Sequence, residues 1–135
     1  MATAVVRVDP VAPDARVLRE AAVVLSRGGL VAFPTETFYG LGAAALDRQA
    51  VRRVFEVKGR PASMPLLVLV DSEPMLRRVA AEIPARAREL IARHWPGALT
   101  LVLRASAGLP AELTAGTGTV GVRLPAHAKI GRAHV

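Results

Sequence analysis

The chain is predicted to fold as an α/β protein, a twisted sheet of mixed parallel and antiparallel strands flanked by helices. Three observations predict it. Strand-like apolar runs alternate with helical periodicity from Val5 to Trp95, the run Leu66-Leu67-Val68-Leu69-Val70 is apolar at consecutive positions, and two late strand-like segments are joined by a loop. Alternation of the two element types places helices against one sheet, and a direct loop between strands makes part of that sheet antiparallel. With 135 residues a single core is expected, because a chain of this size buries roughly two thirds of its unfolded surface.

Val5 to Val8 reads as a short first strand. Asp14 then caps a helix whose apolar positions Val17, Leu18, Ala21, Ala22 and Leu25 recur at helical spacing, and Gly28 and Gly29 end it. Leu30 to Phe33 is a strand closed by Pro34, which has no N–H to give a ladder, and the polar Thr35-Glu36-Thr37 loop follows. Asp47 starts a second helix with Val51, Val54 and Phe55 inward and Gly59 just past its end. The Leu66 to Val70 run is expected at the sheet centre, since apolar residues on both faces suit a strand covered on both sides. Ser72 caps a third helix with Pro74 in its first turn, and Pro84 opens a fourth that Trp95-Pro96-Gly97 breaks. Leu99 to Leu103 and Thr119 to Leu124 are the last strands, joined by the Gly/Pro/Thr-rich loop Ala107 to Gly118.

The composition is 52% hydrophobic but only 4% aromatic, so aliphatic side chains must fill the core. There is no cysteine, which excludes disulfides and thiolate metal sites and fits a cytoplasmic protein. No apolar run approaches the ~20 residues a membrane helix needs, so no membrane partner is expected. The formal charge of +7 attracts ATP, other phosphates or RNA, although abundant arginines on solvated helix faces produce the same number. His94, His127 and His134 are too scattered for a metal site, and no metal-binding residue is assigned.

Two passages could carry chemistry. Thr35, Glu36, Thr37, Tyr39, Gly40 and Gly42 follow a strand, where open α/β sheets bind ligands and glycine admits close backbone approach; an ordinary turn with capping threonines reads the same way. Lys58 and Arg60 flank Gly59, so a mobile point charge and a planar fork can meet one anion, or both can simply favour a helix C-terminus. Arg123 lies between Val122 and Leu124 on a strand and therefore projects opposite to them, toward solvent or into a cavity. Walker and dinucleotide-binding glycine motifs are absent, and no nucleophilic triad can be drawn.

Taken together, Phe33-Pro34-Thr35-Glu36-Thr37-Phe38-Tyr39-Gly40-Leu41-Gly42, Lys58-Gly59-Arg60-Pro61, Pro65-Leu66, Trp95-Pro96-Gly97 with Leu99-Thr100, and Val122-Arg123-Leu124-Pro125 resemble the YrdC/TsaC family of threonylcarbamoyl-AMP synthases, in order and spacing from about Ala12 to His127. The resemblance implies a YrdC-like mixed sheet around a basic concave cavity. It implies joining of L-threonine, bicarbonate or carbon dioxide, and ATP, with Mg²⁺ arriving with the ATP and pyrophosphate leaving. Thr35, Arg123 and Tyr39 would contact L-threonine, and no residue would act by covalent catalysis. Lys58, Arg60, Ala62 and Thr119 would face ATP. Downstream tRNA-modification proteins would be partners, and tRNA or double-stranded RNA could bind directly.

The sequence departs from the family pattern at Leu69, where some members have a histidine, and at Met64, where a polar residue is common. Family members also continue with a helix, a strand and a Ser-x-Asn motif. The expectation is therefore a C-terminally incomplete YrdC-like domain over residues 1–128, followed by a non-matching tail, residues 129–135, foreign or frame-shifted in origin. Two other readings stand beside the synthase: a non-catalytic double-stranded RNA-binding module, and a carbamoyltransferase-type YrdC-like domain.

Overall fold

The computed structural model describes residues 3–9, 11–34 and 39–126. Local capping chemistry starts most of its helices. In α1 (Ala15–Ser26) the Asp14 carboxylate accepts from the Arg16 amide at 2.8 Å. Strands β1 (Val31–Pro34) and β2 (Tyr39–Gly42) pair antiparallel, with Val31 opposite Gly42 and Pro34 opposite Tyr39. Helix α2 (Arg48–Lys58) takes its cap from Asp47, which accepts from the amides of Gln49 and Ala50. It stops at Gly59, whose φ of 61° is left-handed and costs a residue without a Cβ least.

Strand β3 (Leu67–Leu69) leads to α3 (Glu73–Val79), capped by Ser72, and α4 (Ala85–His94), entered from Pro84. Strand β4 (Leu101–Arg104), the short helix α5 (Ala111–Thr114) and strand β5 (Thr119–Arg123) follow. The second sheet has the order β3-β5-β4, with β3 parallel and β4 antiparallel to β5. This is the mixed sheet expected from the loop-joined late strands.

Alternation along these strands divides the sheet into two unlike faces. Val68, Val70, Leu101, Leu103, Val120 and Val122 point into the core, where Leu76 and Val79 of α3 and Ala87 of α4 cover them. The other face carries Leu67 and Leu69 from β3, Thr119, Gly121 and Arg123 from β5, and Val102 and Arg104 from β4. It is open, and Val102 on it is 69% exposed.

Several expected elements differ. Residues 3–9 form no strand and Val5 is 92% exposed; so short an apolar segment cannot offset its ordering cost without a pairing edge. Pro34 ends its strand as expected but as the last paired residue, opposite Tyr39, and the glycine-rich stretch after the loop, read as turn, forms β2. The sheet centre is β5, while β3 lies at an edge among the described residues. Its apolar run reflects a core on one side and a cavity on the other. Strand β4 begins at Leu101, because Trp95 Nε1 donates to the Leu99 carbonyl at 2.9 Å and holds that residue in the preceding turn. Helix α5 occupies part of the segment read as loop, and Arg48 and Arg52 of α2 secure it by ion pairs to Glu112 at 3.1 and 2.6 Å. Among the described residues no helix is long and apolar enough to cross a membrane. The tail, residues 129–135, lies outside the described residues, as do Thr35, Glu36, Thr37, Phe38 and His127.

Candidate active site

The open sheet face brings Arg123 into a specific setting. Register places it beside Leu69 on β3 and, one step beyond the Leu101–Val122 pair, beside Thr100 next to β4. Its Nε and Nη2 donate to the Thr100 hydroxyl oxygen at 3.0 and 2.8 Å. One edge of the guanidinium is thus held, and the Nη1/Nη2 edge remains for a second acceptor. Arg123 is half-buried and makes no ion pair among the described residues. A planar fork in that state suits a carboxylate or phosphate.

The Trp95-Pro96-Gly97 turn supports this pair from both sides. The Trp95 indole bonds the carbonyl of Leu99, beside Thr100, while the Gly97 amide donates to the carbonyl of Leu124, beside Arg123, at 2.9 Å. The Trp95–Pro96 peptide is cis. Gly97 has no room for a side chain: a Cβ there would stand 2.5 Å from the His94 carbonyl oxygen.

Next to this face is a cavity of about 140 Å³ between the β1–β2 hairpin, α2, α5 and β3. Val31, Phe33, Leu41, Val54 and Leu113 contribute to a wall that is mostly apolar. Four consecutive residues, Leu66 to Leu69, line it. Because successive strand residues face opposite ways, a cavity touching all four abuts the edge of β3. Lys58, in the last turn of α2, is the charged residue on this wall. Its side chain has no hydrogen-bond or ion-pair partner among the described residues, leaving its ammonium for a ligand.

Arg60 is placed differently from Lys58. Its Nε and Nη2 donate to the carbonyls of Met64 and Pro65 at 3.2 and 2.8 Å, tying down the loop that contains Ala62. That loop ends against α5 through the Leu66 amide and the Leu113 carbonyl. Helix α5 is charge-anchored there: the Glu112 carboxyl is held below the usual range by its own backbone amide, then by hydrogen bonding to Arg52 and the charge of Arg48, against partial desolvation. Thr119 shares the open face with Arg123, and its hydroxyl lies 3.1 Å from that of Thr117. Tyr39 is 77% exposed and is not part of the cavity wall.

Arg123 and Thr119 therefore share a face, and Lys58 joins the neighbouring cavity by way of Leu69. Arg60 is turned toward its own loop and Tyr39 stands apart. Two residues on the same face were not assigned a role from sequence: Thr100 and the exposed Arg104, which lies opposite Thr119. The two-residue strand period, which sets Arg104 on the face opposite Leu101 and Leu103, was the available signal for Arg104. Only the register of β4 against β5 reveals Thr100.

The family model for Sua5/YciO/YrdC, described as telomere recombination, matches residues 23–131. A threonylcarbamoyl-AMP synthase of Pyrococcus abyssi is 54% identical over 110 residues, covering 82% of this chain and 32% of the relative. One from Bacillus subtilis is 43% identical over 111 residues with the same two coverages. The crystal structure of P. abyssi Sua5 complexed with L-threonine superposes with a TM-score of 0.87 at 49% identity, covering 90% of this chain and 36% of that one. The chain thus spans about a third of the length of these relatives. With a family model over most of its length and the same mixed sheet beneath the matched residues, the chain belongs to the Sua5/YciO/YrdC family.

Proposed function

We propose that this chain forms the threonine- and phosphate-binding part of an ATP-dependent threonylcarbamoyl-AMP synthase. The observation that carries the reading is Arg123, a half-buried guanidinium with a free fork and no carboxylate partner among the described residues. The chain's similarity to a protein solved with L-threonine supports the reading in which that fork takes the substrate carboxylate. In the reaction, the amine of threonine combines with bicarbonate to give a carbamate and water. A carbamate oxygen then attacks the α-phosphorus of ATP, and the α–β phosphoanhydride bond breaks to release pyrophosphate.

Little covalent chemistry is asked of the protein in such a step; positioning and charge neutralisation dominate. Arg123 anchors the carboxylate and so orients the amine. Lys58 faces phosphate oxygens from the end of α2, with the outer edge of Arg60 and the loop at Ala62 beside it. Thr119 offers a neutral hydrogen bond, Thr35 completes the threonine contacts, and Mg²⁺ enters as the ATP complex; Tyr39, which stands apart from the cavity wall, is left without a role. The product would pass to proteins that transfer the threonylcarbamoyl group to tRNA.

The test is pyrophosphate release by the chain supplied with L-threonine, bicarbonate and MgATP, together with calorimetric titration of L-threonine. Release that needs all three, with measurable threonine binding, supports the reading. Release indifferent to threonine, or no threonine binding, overturns it. Double-stranded RNA affinity that falls steeply with salt and ignores ATP would instead favour an RNA-binding module.

A further inference from the structure

We infer that Thr100 is a positioning residue that presents Arg123 to an anionic substrate group. The inference rests on the functional reading for the identity of that group, L-threonine carboxylate, but not for the contact itself. A guanidinium has five N–H donors on three edges, and an exposed arginine samples many rotamers whose freedom is lost when it is fixed. Here Nε and Nη2 converge on one oxygen, at 3.0 and 2.8 Å. That contact fixes both the torsion at the end of the side chain and the plane of the fork. What remains is the Nη1/Nη2 edge, one of the two edges through which a guanidinium can meet both oxygens of a carboxylate.

The surroundings of Thr100 are arranged to keep it there. A Cβ at Gly121 would lie 3.6 Å from both Leu67 Cδ1 and Thr100 Cγ2, so the Thr100 methyl packs toward the β5 backbone in line with Leu67 of β3. With the methyl so placed, the hydroxyl is directed to Arg123. On the opposite flank of Arg123 stands Leu69, which offers no acceptor to compete. The Leu99 carbonyl, one residue before Thr100, is held by the Trp95 indole, which limits its movement relative to β5. A hydroxyl that accepts two hydrogen bonds also keeps its own proton to donate, and so can add a third bond to the same bound anion.

The experiment compares wild type with T100V, which keeps the shape and removes the oxygen, and T100S, which keeps the oxygen. Two readouts are taken. The first is the Nε–H resonance of Arg123 in ¹⁵N-labelled chain without substrate: slow solvent exchange is expected in wild type and T100S, and fast exchange in T100V. The second is calorimetric affinity for L-threonine and for MgATP. T100V should weaken L-threonine by about tenfold, as loss of a charge-assisted contact does. T100S should restore it, and MgATP affinity should be unchanged in both variants. An Nε–H that exchanges alike in wild type and T100V, or equal threonine affinity in the two, overturns the inference; so does equal loss for threonine and MgATP, the mark of a merely structural residue. If wild type shows the protected Nε–H but no threonine affinity, the functional reading fails while the Thr100–Arg123 contact stands, and the carboxylate role assigned to it is refuted.

Discussion

The amide of Gly97 and the carbonyl of Leu124 are joined by a 2.9 Å hydrogen bond that links the turn after α4 to the chain just beyond Arg123. A turn far from Arg123 in sequence is thereby part of the frame that sets the position of the site. Gly97→Ala forces a Cβ to within 2.5 Å of a backbone oxygen, which only backbone movement can relieve. The expected outcome is a loss of about 1–3 kcal/mol in urea unfolding, accompanied by weaker L-threonine binding. Unchanged stability would show that the turn relaxes freely.

Lys58 and Arg60 are expected to separate by phenotype. Lys58→Ala removes a cation with no partner among the described residues, so MgATP affinity should fall about tenfold or more while the urea midpoint stays put. Arg60→Ala also removes two bonds to the carbonyls of Met64 and Pro65. It should cost about 1 kcal/mol of stability as well, seen as a lower urea midpoint beside the weaker binding. Identical midpoints for the two variants would contradict these assignments.

Acid should weaken the fold through two surface carboxylates. Glu73 is held below its ordinary value of 4.5 by the hydrogen bond from Arg88 and then by the charge of Arg77, and Glu112 by its backbone amide and Arg52. A carboxyl that binds its proton less tightly when folded contributes stability above the unfolded pKa, and loses it as pH falls from about 4.5 through the lower folded value. Urea midpoints should accordingly drop as pH falls below about 4.5. Glu112→Gln should lower the neutral midpoint and flatten that slope; an unaltered slope would exclude Glu112 as a contributor.

Leu76 tests the covered side of the sheet. It is 1% exposed, and its side chain packs within the core that includes Val70, Val120 and Val122. Leu76→Ala should destabilise by about 2–5 kcal/mol in denaturant unfolding. In material that remains folded, L-threonine affinity should be retained, because Leu76 serves the face opposite Arg123.

Much of the fold was legible where the chemistry is local. Asp14, Asp47 and Ser72 announce their helices through hydrogen bonds to amides two or three residues away, and Gly59 announces an end. Non-local pairing was not legible. Tyr39-Gly40-Leu41-Gly42 has turn chemistry, and only β1 beside it makes it a strand. An apolar run from Leu66 to Val70 does not say whether its second side meets another strand or a cavity. At the site, residue type pointed to Arg123 and Lys58, but the spending of one edge of Arg60 on nearby carbonyls depends on how its loop closes. The partner of Arg123, Thr100, is 23 residues away and becomes a neighbour only through sheet register.

Strand β5 carries two interleaved instructions, with Val120 and Val122 filling the core and Thr119, Gly121 and Arg123 on the open face proposed here to meet ligands. If that proposal holds, point changes at Thr119 or Arg123 would alter which small molecule is held while drawing little on the reserve that keeps the chain folded, and ligand preference would drift under selection at little structural risk. A one-residue insertion or deletion within the strand has the opposite character. It would exchange the two sets, send a guanidinium inward and valines outward, and remove fold and site in a single event.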